Sequence, residues 1–166
     1  MAQASLQRKV YPSGDEYYGQ FNAAGGPHGY GVYKWRSGDN YVGSWINGVR
    51  TGEGVYKYTD GTIYRGSFLN NDKHGFGSWE TAGGHKYFGN WLFGKKEGQG
   101  TYVWPNGNRY VGTWVNNERT GLGVFTWPSG DKYDGRFLRG EIHGYGTYYY
   151  KDGKTHTGEW RYGKRV

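Results

Sequence analysis

GTYVWPNGNRYVGTW (residues 100–114) and GVFTWPSGDKYDGRF (residues 123–137) carry the same pattern 23 residues apart. Within them glycine and aromatic residues stand at alternate positions, and the same spacing recurs at Tyr41, Gly43 and Trp45 and at Gly52, Gly54, Tyr56 and Tyr58. A period of two is the signature of a strand, because successive side chains point to opposite faces. The strands are separated by turn chemistry. Asp60-Gly61, Asn106-Gly107, Ser129-Gly130 and Asp152-Gly153 punctuate one side, and Asn47-Gly48, Asn70-Asn71 and Asn116-Asn117 the other. Pro105 and Pro128 precede Asn106-Gly107 and Ser129-Gly130, where a β-turn places its second residue and the fixed φ of proline fits.

Working outward, the step of 23 runs through the whole chain. Glycine columns occupy 29, 52, 75, 98, 121, 144, then 31 to 146, 43 to 158 and 38 to 153 at the same step. With Gly14, Gly19, Gly48, Gly94, Gly140 and Gly163, thirty of the 33 glycines fall in register. The aromatic residues keep the same ruler: Tyr17, Tyr41, Tyr64, Tyr87, Tyr110 and Tyr133, followed four residues on by Phe21, Trp45, Phe68, Trp91, Trp114, Phe137 and Trp160. Asn and Gly interchange at 48, 71, 94, 117, 140 and 163, which marks a backbone position of positive φ. An insertion at Ala24-Gly25-Gly26 makes the first repeat one residue longer.

This pattern predicts an all-β chain: an elongated, open antiparallel sheet of consecutive β-hairpin repeats with no helices of note. A leading strand and turn fill 1–16. Six repeats follow (17–40, 41–63, 64–86, 87–109, 110–132, 133–155), and a half repeat fills 156–166. Hairpins advancing about 9.5 Å per repeat give a twisted rod about 60 Å long. The last segment, His156 to Trp160, reads as an edge strand, a site for a partner strand or for end-to-end self-association unless Lys164 and Arg165 blunt it. Gly43, Gly52 and Gly54 are expected on the face of Tyr41, Trp45 and Tyr56, where bare backbone leaves room for rings to lie flat.

Composition agrees. The hydrophobic fraction is 34%, yet Leu and Ile together number eight against 33 aromatic residues, so what is buried is mostly aromatic. Disordered chains are poor in aromatics, and this one is not. The absence of cysteine removes disulfides and thiolate metal sites. No run approaches the roughly 18 apolar residues of a membrane-spanning helix, and the N-terminus lacks an apolar signal core, so the protein is expected to be soluble and cytoplasmic. A net charge of +7 favours acidic partners in general.

The motif Y-x-G-x-W followed by a short loop, G-x-G and further aromatics, as in Tyr41-Val-Gly-Ser-Trp45 and Tyr110-Val-Gly-Thr-Trp114, resembles the MORN (membrane occupation and recognition nexus) repeat over nearly the whole chain. His156 in the tyrosine column and Thr81 in an aromatic column depart from it. The resemblance implies an aromatic groove that takes helical or extended segments of partner proteins. As an array with little else, the chain looks most similar to the cytoskeletal and axonemal members of the family, such as radial spoke head proteins.

The residues themselves offer no catalytic or metal constellation, and no cofactor is expected. His28, His74 and His143 lie two and three repeats apart, about 19 and 29 Å, so no single ion reaches two of them. Asp15, Asp39, Asp60, Asp131 and Asp152 flank turn glycines, and Ser37 and Ser129 are turn residues outside any nucleophile motif. The G-x-G pairs belong to strands, which removes a phosphate-binding fingerprint.

Two features suggest binding. One is an aromatic partner groove comprising Trp35, Tyr41, Trp45, Tyr64, Tyr87, Trp91, Trp104, Tyr110, Trp114 and Trp127, since an open sheet cannot bury both faces and exposed apolar surface marks interaction sites. The other is a basic ladder, Arg50, Lys73, Lys96 and Arg119, read as solvated loop charges along one edge or as a track for an anionic lipid or acidic protein surface. Expected partners are therefore protein segments in the groove or at the edge strand, then self-association and anionic lipid. Nucleic acid ranks last, for want of a recognised motif. The leading expectation is a non-enzymatic scaffold in a cytoskeletal assembly, the ciliary axoneme and its radial spoke head in particular; the alternative is a phosphoinositide-reading module that tethers a partner to membrane.

Overall fold

A computed structural model describes residues 5–166. Two compact units make up the chain, the first ending at Ala82 and the second beginning at Gly83. The first contains β1 (Gln7–Val10), β2 (Glu16–Phe21), β3 (Pro27–Lys34), β4 (Asn40–Ile46), β5 (Val49–Lys57), β6 (Ile63–Leu69) and β7 (Asp72–Glu80). The second contains β8 (Lys86–Leu92), β9 (Lys95–Val103), β10 (Arg109–Val115), β11 (Glu118–Thr126), β12 (Lys132–Leu138), β13 (Glu141–Tyr149), β14 (Thr155–Arg161) and β15 (Lys164–Arg165). Among the described residues no helix forms. The strands are ordered in one open antiparallel sheet as they are in the chain, β1 at one end and β15 at the other.

Alternating burial follows from the sequence period. In β4 the residues facing inward are Tyr41, Gly43 and Trp45, in β10 Tyr110, Gly112 and Trp114, and in β12 Tyr133, Gly135 and Phe137. The short hairpin between β4 and β5 has Asn47 at φ 48° and Gly48 at φ 83°. Positive φ at both central residues is the type I′ geometry whose twist matches paired strands. The pairs at 70–71, 93–94, 116–117, 139–140 and 162–163 do the same, Phe93, Arg139 and Tyr162 among them. The longer connections close as expected of Pro105: the Gly107 N–H donates to the Trp104 carbonyl at 2.9 Å, with Gly107 at φ 91°.

The hairpins β2–β3, β4–β5, β6–β7, β8–β9, β10–β11 and β12–β13 also carry an irregularity that the sequence pattern does not place. Between β10 and β11, Gly112 pairs with Gly123 but Trp114 with Arg119, so three residues of β11 oppose one of β10. The same shift recurs at Gly43/Trp45, Gly66/Phe68, Gly89/Trp91 and Gly135/Phe137. Gly52 and Gly121, at φ 100° and 94°, occupy these bulges. The expectation that Gly52 shares the ring face with Gly43 and Gly54 is thus corrected: a Cβ on Gly52 would meet Ser44, whereas one on Gly54 would strike the Tyr41 ring. The edge strand is also modified, because β15 turns back to pair Arg165 with Trp160 and Lys164 with Arg161 at the end of β14.

The core of each unit is a layer of tyrosines laid across glycine backbone. Tyr17, Tyr41, Tyr64, Tyr87, Tyr110 and Tyr133 are 0% exposed. Each ring lies over the glycine of the next strand, and each hydroxyl returns to its own strand, as when Tyr41 donates to the Ser44 carbonyl at 3.0 Å and Tyr110 to that of Thr113 at 2.8 Å. That bond satisfies the only polar atom the burial would strand.

Candidate functional site

The aromatic face is built in two layers. In the lower one the tyrosines meet the next column edge to face: Tyr41 stands 5.1 Å from both Trp45 and Phe68, and Tyr110 stands 5.3 Å from Trp114 and 5.0 Å from Phe137, at interplanar angles of 83–89°. Such pairs are each worth about 0.5–1.5 kcal/mol beyond their buried area. Trp45 and Trp114 also donate their indole N–H to the carbonyls of Gly31 and Gly100 at 3.3 and 3.2 Å.

The upper layer is a zigzag of tilted rings. In the first unit Tyr33, Trp35, Tyr56 and Tyr58 follow one another at 4.5, 5.3 and 4.3 Å. In the second, Tyr102, Trp104, Phe125, Trp127, Tyr148 and Tyr150 do so at 4.4, 5.4, 4.6, 5.3 and 4.6 Å. All but Phe125 are half-buried, so their outer faces reach solvent.

The expected groove residues divide between these layers. Tyr41, Tyr64, Tyr87 and Tyr110 have no exposed surface, and Trp45, Trp91 and Trp114 retain 3–4%. They form the floor. Trp35, Trp104 and Trp127 alone of the ten are half-buried and accessible, accompanied by Tyr56, Tyr58, Tyr102, Tyr148 and Tyr150, which sequence spacing placed in columns without distinguishing floor from surface.

The basic ladder lies on this same face and not along a solvated edge. The bulge is the physical reason, since it turns Arg50 and Arg119 to pair with Trp45 and Trp114. The guanidinium carbon of Arg50 sits 5.3 Å from the Trp35 and Tyr56 rings and 5.8–5.9 Å from Tyr41 and Phe68. Lys96 holds 5.6–5.7 Å from Tyr87, Trp91, Tyr102 and Trp114. Lys73 lies within 5.8 Å of Tyr58 and Tyr64. These are cation–π distances, and burial depresses the pKa of Lys73 and Arg119.

Successive repeats are clamped by a carboxylate column whose role the sequence reading confined to turns. Asp39 accepts the Tyr56 hydroxyl at 2.8 Å and the Thr59 N–H at 2.9 Å, and Asp131 accepts the Tyr148 hydroxyl and the Lys151 N–H, both at 2.8 Å. Asp15 does the same with Tyr33 and Arg36. The Arg36 N–H lowers the Asp15 pKa, and burial with the adjoining Asp15 raises that of Tyr33 to about 12. Among the described residues no group of three or more His, Asp or Glu is placed to hold a metal ion.

The opposite face was missed as an apolar surface. The middle residues of the G-x-G pairs point there, and Tyr30, Phe76, Leu122 and Tyr145 are 58–66% exposed. In the first unit Tyr30 and Phe76 flank a cleft of about 460 Å³ floored by Val42 and Val55, with Glu53 and Arg65 on its lining. Their spacing of two repeats was the available signal.

The family profile of the MORN repeat matches residues 17–40, 41–63, 64–86, 87–109, 110–132, 133–155 and 156–166. The chain belongs to the MORN-repeat family. No curated protein matches it. Among solved structures, the MORN array is similar to the SAS-4 (dCPAP) TCP domain of Drosophila melanogaster in complex with a proline-rich motif of Ana2 (dSTIL), at 16% identity, covering 94% of this chain and 84% of that one, with a TM-score of 0.57. The wild-type TCP10 domain of Danio rerio CPAP matches at 13% identity over 92% of this chain and 83% of that one, with a TM-score of 0.37. The first likeness concerns the fold alone.

Proposed function

We propose that the protein is a non-enzymatic scaffold whose aromatic face takes a helical or extended segment of a partner protein, within a cytoskeletal assembly of the cytoplasm. The ciliary axoneme, and the radial spoke head in it, is the setting we favour. The functional array is the six repeats of residues 17–155, preceded by the leading strand and turn of 1–16 and followed by the half repeat of 156–166. One observation carries the reading: the upper-layer rings from Tyr102 to Tyr150 form an unbroken run of ring contacts over a buried floor, half-buried at every position but Phe125. Preorganised aromatic surface of this kind is where binding hot spots concentrate. The Drosophila domain of similar fold, solved with a proline-rich partner motif, supports it.

The axonemal setting rests on the resemblance to the cytoskeletal members of the MORN-repeat family. We rank it above the phosphoinositide reading because Arg50, Lys96 and Arg119 are engaged by rings, which leaves them less available to a flat anionic surface. The test is co-purification with and without Trp35→Ala, Trp104→Ala and Trp127→Ala, substitutions that spare the floor. The triple variant should weaken partner capture by about 30-fold or more, with its circular dichroism unchanged. Undiminished capture would refute the groove. Phosphoinositide liposomes in place of axonemal proteins as the captured species would favour the membrane reading.

A further inference from the structure

The basic column is interrupted at the sixth repeat: where Arg50, Lys73, Lys96 and Arg119 stand, the next repeat has Ile142, and Arg165 resumes the column 23 residues on. Ile142 pairs with Phe137 across the hairpin as Arg119 pairs with Trp114, so it occupies the same place on the aromatic face. A shorter side chain there leaves a cleft of about 210 Å³, lined by Arg119, Phe125, Trp127, Phe137, Glu141 and Ile142. Phe125 and Phe137 are buried at its base, while Trp127, Arg119 and Ile142 are half-buried. The volume falls below the roughly 300–1,000 Å³ of small-molecule sites and suits a single large side chain.

The charge in its wall is one-sided. The Arg119 guanidinium lies 5.2–5.3 Å from the Trp104 and Phe125 rings and 5.8–5.9 Å from Tyr110 and Phe137. Among the described residues it has no ion pair, and Glu141 on the rim does not reach it. Ring faces attract a cation but supply no acceptor for its N–H groups, whereas a carboxylate matches the guanidinium fork with two. Glu141 in turn disfavours a run of acids across the cleft, since like charges juxtaposed at an interface are costly. A single acid beside an apolar residue satisfies both walls.

We propose that this cleft is an anchor pocket for an acidic segment of a partner protein: one large apolar side chain enters between Trp127 and Phe137, and a neighbouring Asp or Glu carboxylate meets Arg119. The inference rests on the aromatic face being the partner surface and adds what that partner presents. The net charge of +7 speeds the approach of such a segment.

The experiment uses the full chain and a phage-displayed library of random 12-residue peptides, with selected peptides then measured by fluorescence polarisation. Enriched sequences should carry Phe, Leu, Trp or Met within two residues of Asp or Glu. Ile142→Arg, which refills the cleft with the residue found at 50 and 119 and therefore folds, should weaken them about tenfold or more. Replacing the peptide acid by its amide should weaken binding to the native chain but not to Arg119→Gln. Peptides that depend on Trp104 yet ignore Ile142→Arg, or that carry no acid, overturn the pocket and leave the wider reading standing. Peptides indifferent to Trp35→Ala, Trp104→Ala and Trp127→Ala, or no enrichment at all, overturn both.

Discussion

Adding one methyl group at Gly54 should undo a repeat. A Cβ there would lie 2.3–2.4 Å from the hydroxyl oxygen, Cε2 and Cζ of Tyr41, where carbon atoms rest comfortably at about 3.5–4.0 Å. The ring would have to retreat by more than 1 Å, and it has nowhere to go: Trp45 and Phe68 each stand 5.1 Å away edge to face, and the hydroxyl is tied to Ser44 at 3.0 Å. Overpacking a core costs about 1–3 kcal/mol, and expelling a large ring about 3–5 kcal/mol, so Gly54→Ala should cost about 3 kcal/mol. The cause is separable from mere loss of glycine. With Tyr41→Ala already present the new methyl group has space, so the double variant should be no less stable than Tyr41→Ala alone, a coupling of about 2–3 kcal/mol. Urea unfolding followed by circular dichroism gives the cycle, and amide exchange in β4 and β5 localises the damage, because repeat arrays need not unfold as one unit. Gly48→Ala is the control. Nothing lies within 4 Å of its Cβ, but φ is 83°, so strain alone costs about 1 kcal/mol. Additive energies in the cycle, or Gly54→Ala within about 0.5 kcal/mol of the native chain, would refute the fit of ring to backbone.

Alkaline pH should melt the sheet. Burial raises the Tyr41 and Tyr110 hydroxyls to about 12; the fold prefers their neutral form, so this contribution is whole below pH about 10 and is lost as pH climbs through about 12. Tyrosinate absorbance and loss of circular dichroism should rise together in that window, and titration of all tyrosines near 10 with the fold intact would contradict it. Arg139→Asn should stabilise by about 0.5–1 kcal/mol, because Arg139 holds φ 47°, a conformation asparagine tolerates better; a lowered melting temperature would count against the strain. Asp39→Asn should cost about 1–3 kcal/mol, since one of its two acceptor oxygens serves the Tyr56 hydroxyl and the other the Thr59 N–H; an unchanged urea midpoint would show the clamp to be idle.

The strands, the turns and the tyrosine floor were legible because they rest on local rules. Alternation at Tyr41, Gly43 and Trp45 gives strand and face together, and Asn at 47, 70 and 116 marks positive φ. The site was legible only as columns. Trp45 and Trp35 look alike in the sequence, yet one is 3% exposed and the other half-buried, because Trp45 stands beside the glycines that admit rings and Trp35 lies near the strand end over a second layer. The basic ladder was misplaced for a different reason. Its side is decided by the bulge at Gly52 and Gly121, and no period of two survives a bulge.

The two layers also separate what must stay constant from what can vary between repeats. Thr81 stands where other repeats have Trp35, Tyr58, Trp104, Trp127 or Tyr150, and Ile142 stands where others have Arg or Lys, yet both repeats form their strands. The floor behaves otherwise: the tyrosine column is unbroken from Tyr17 to Tyr133, and its glycines have no room for a Cβ. At His156 the column breaks, and because β15 pairs only with Trp160 and Arg161 no glycine of a following strand faces Gly158; with both gone the constraint eases. A Cβ on Gly158 would meet only the His156 Nε2 at 3.6 Å, whereas one on Gly135 would meet the Gly146 Cα at 2.5 Å and the Tyr133 hydroxyl at 2.6 Å. Glycine and tyrosine are therefore one structural device, and the residues laid above them are free to differ from repeat to repeat, which is what a surface that tells one partner segment from another requires.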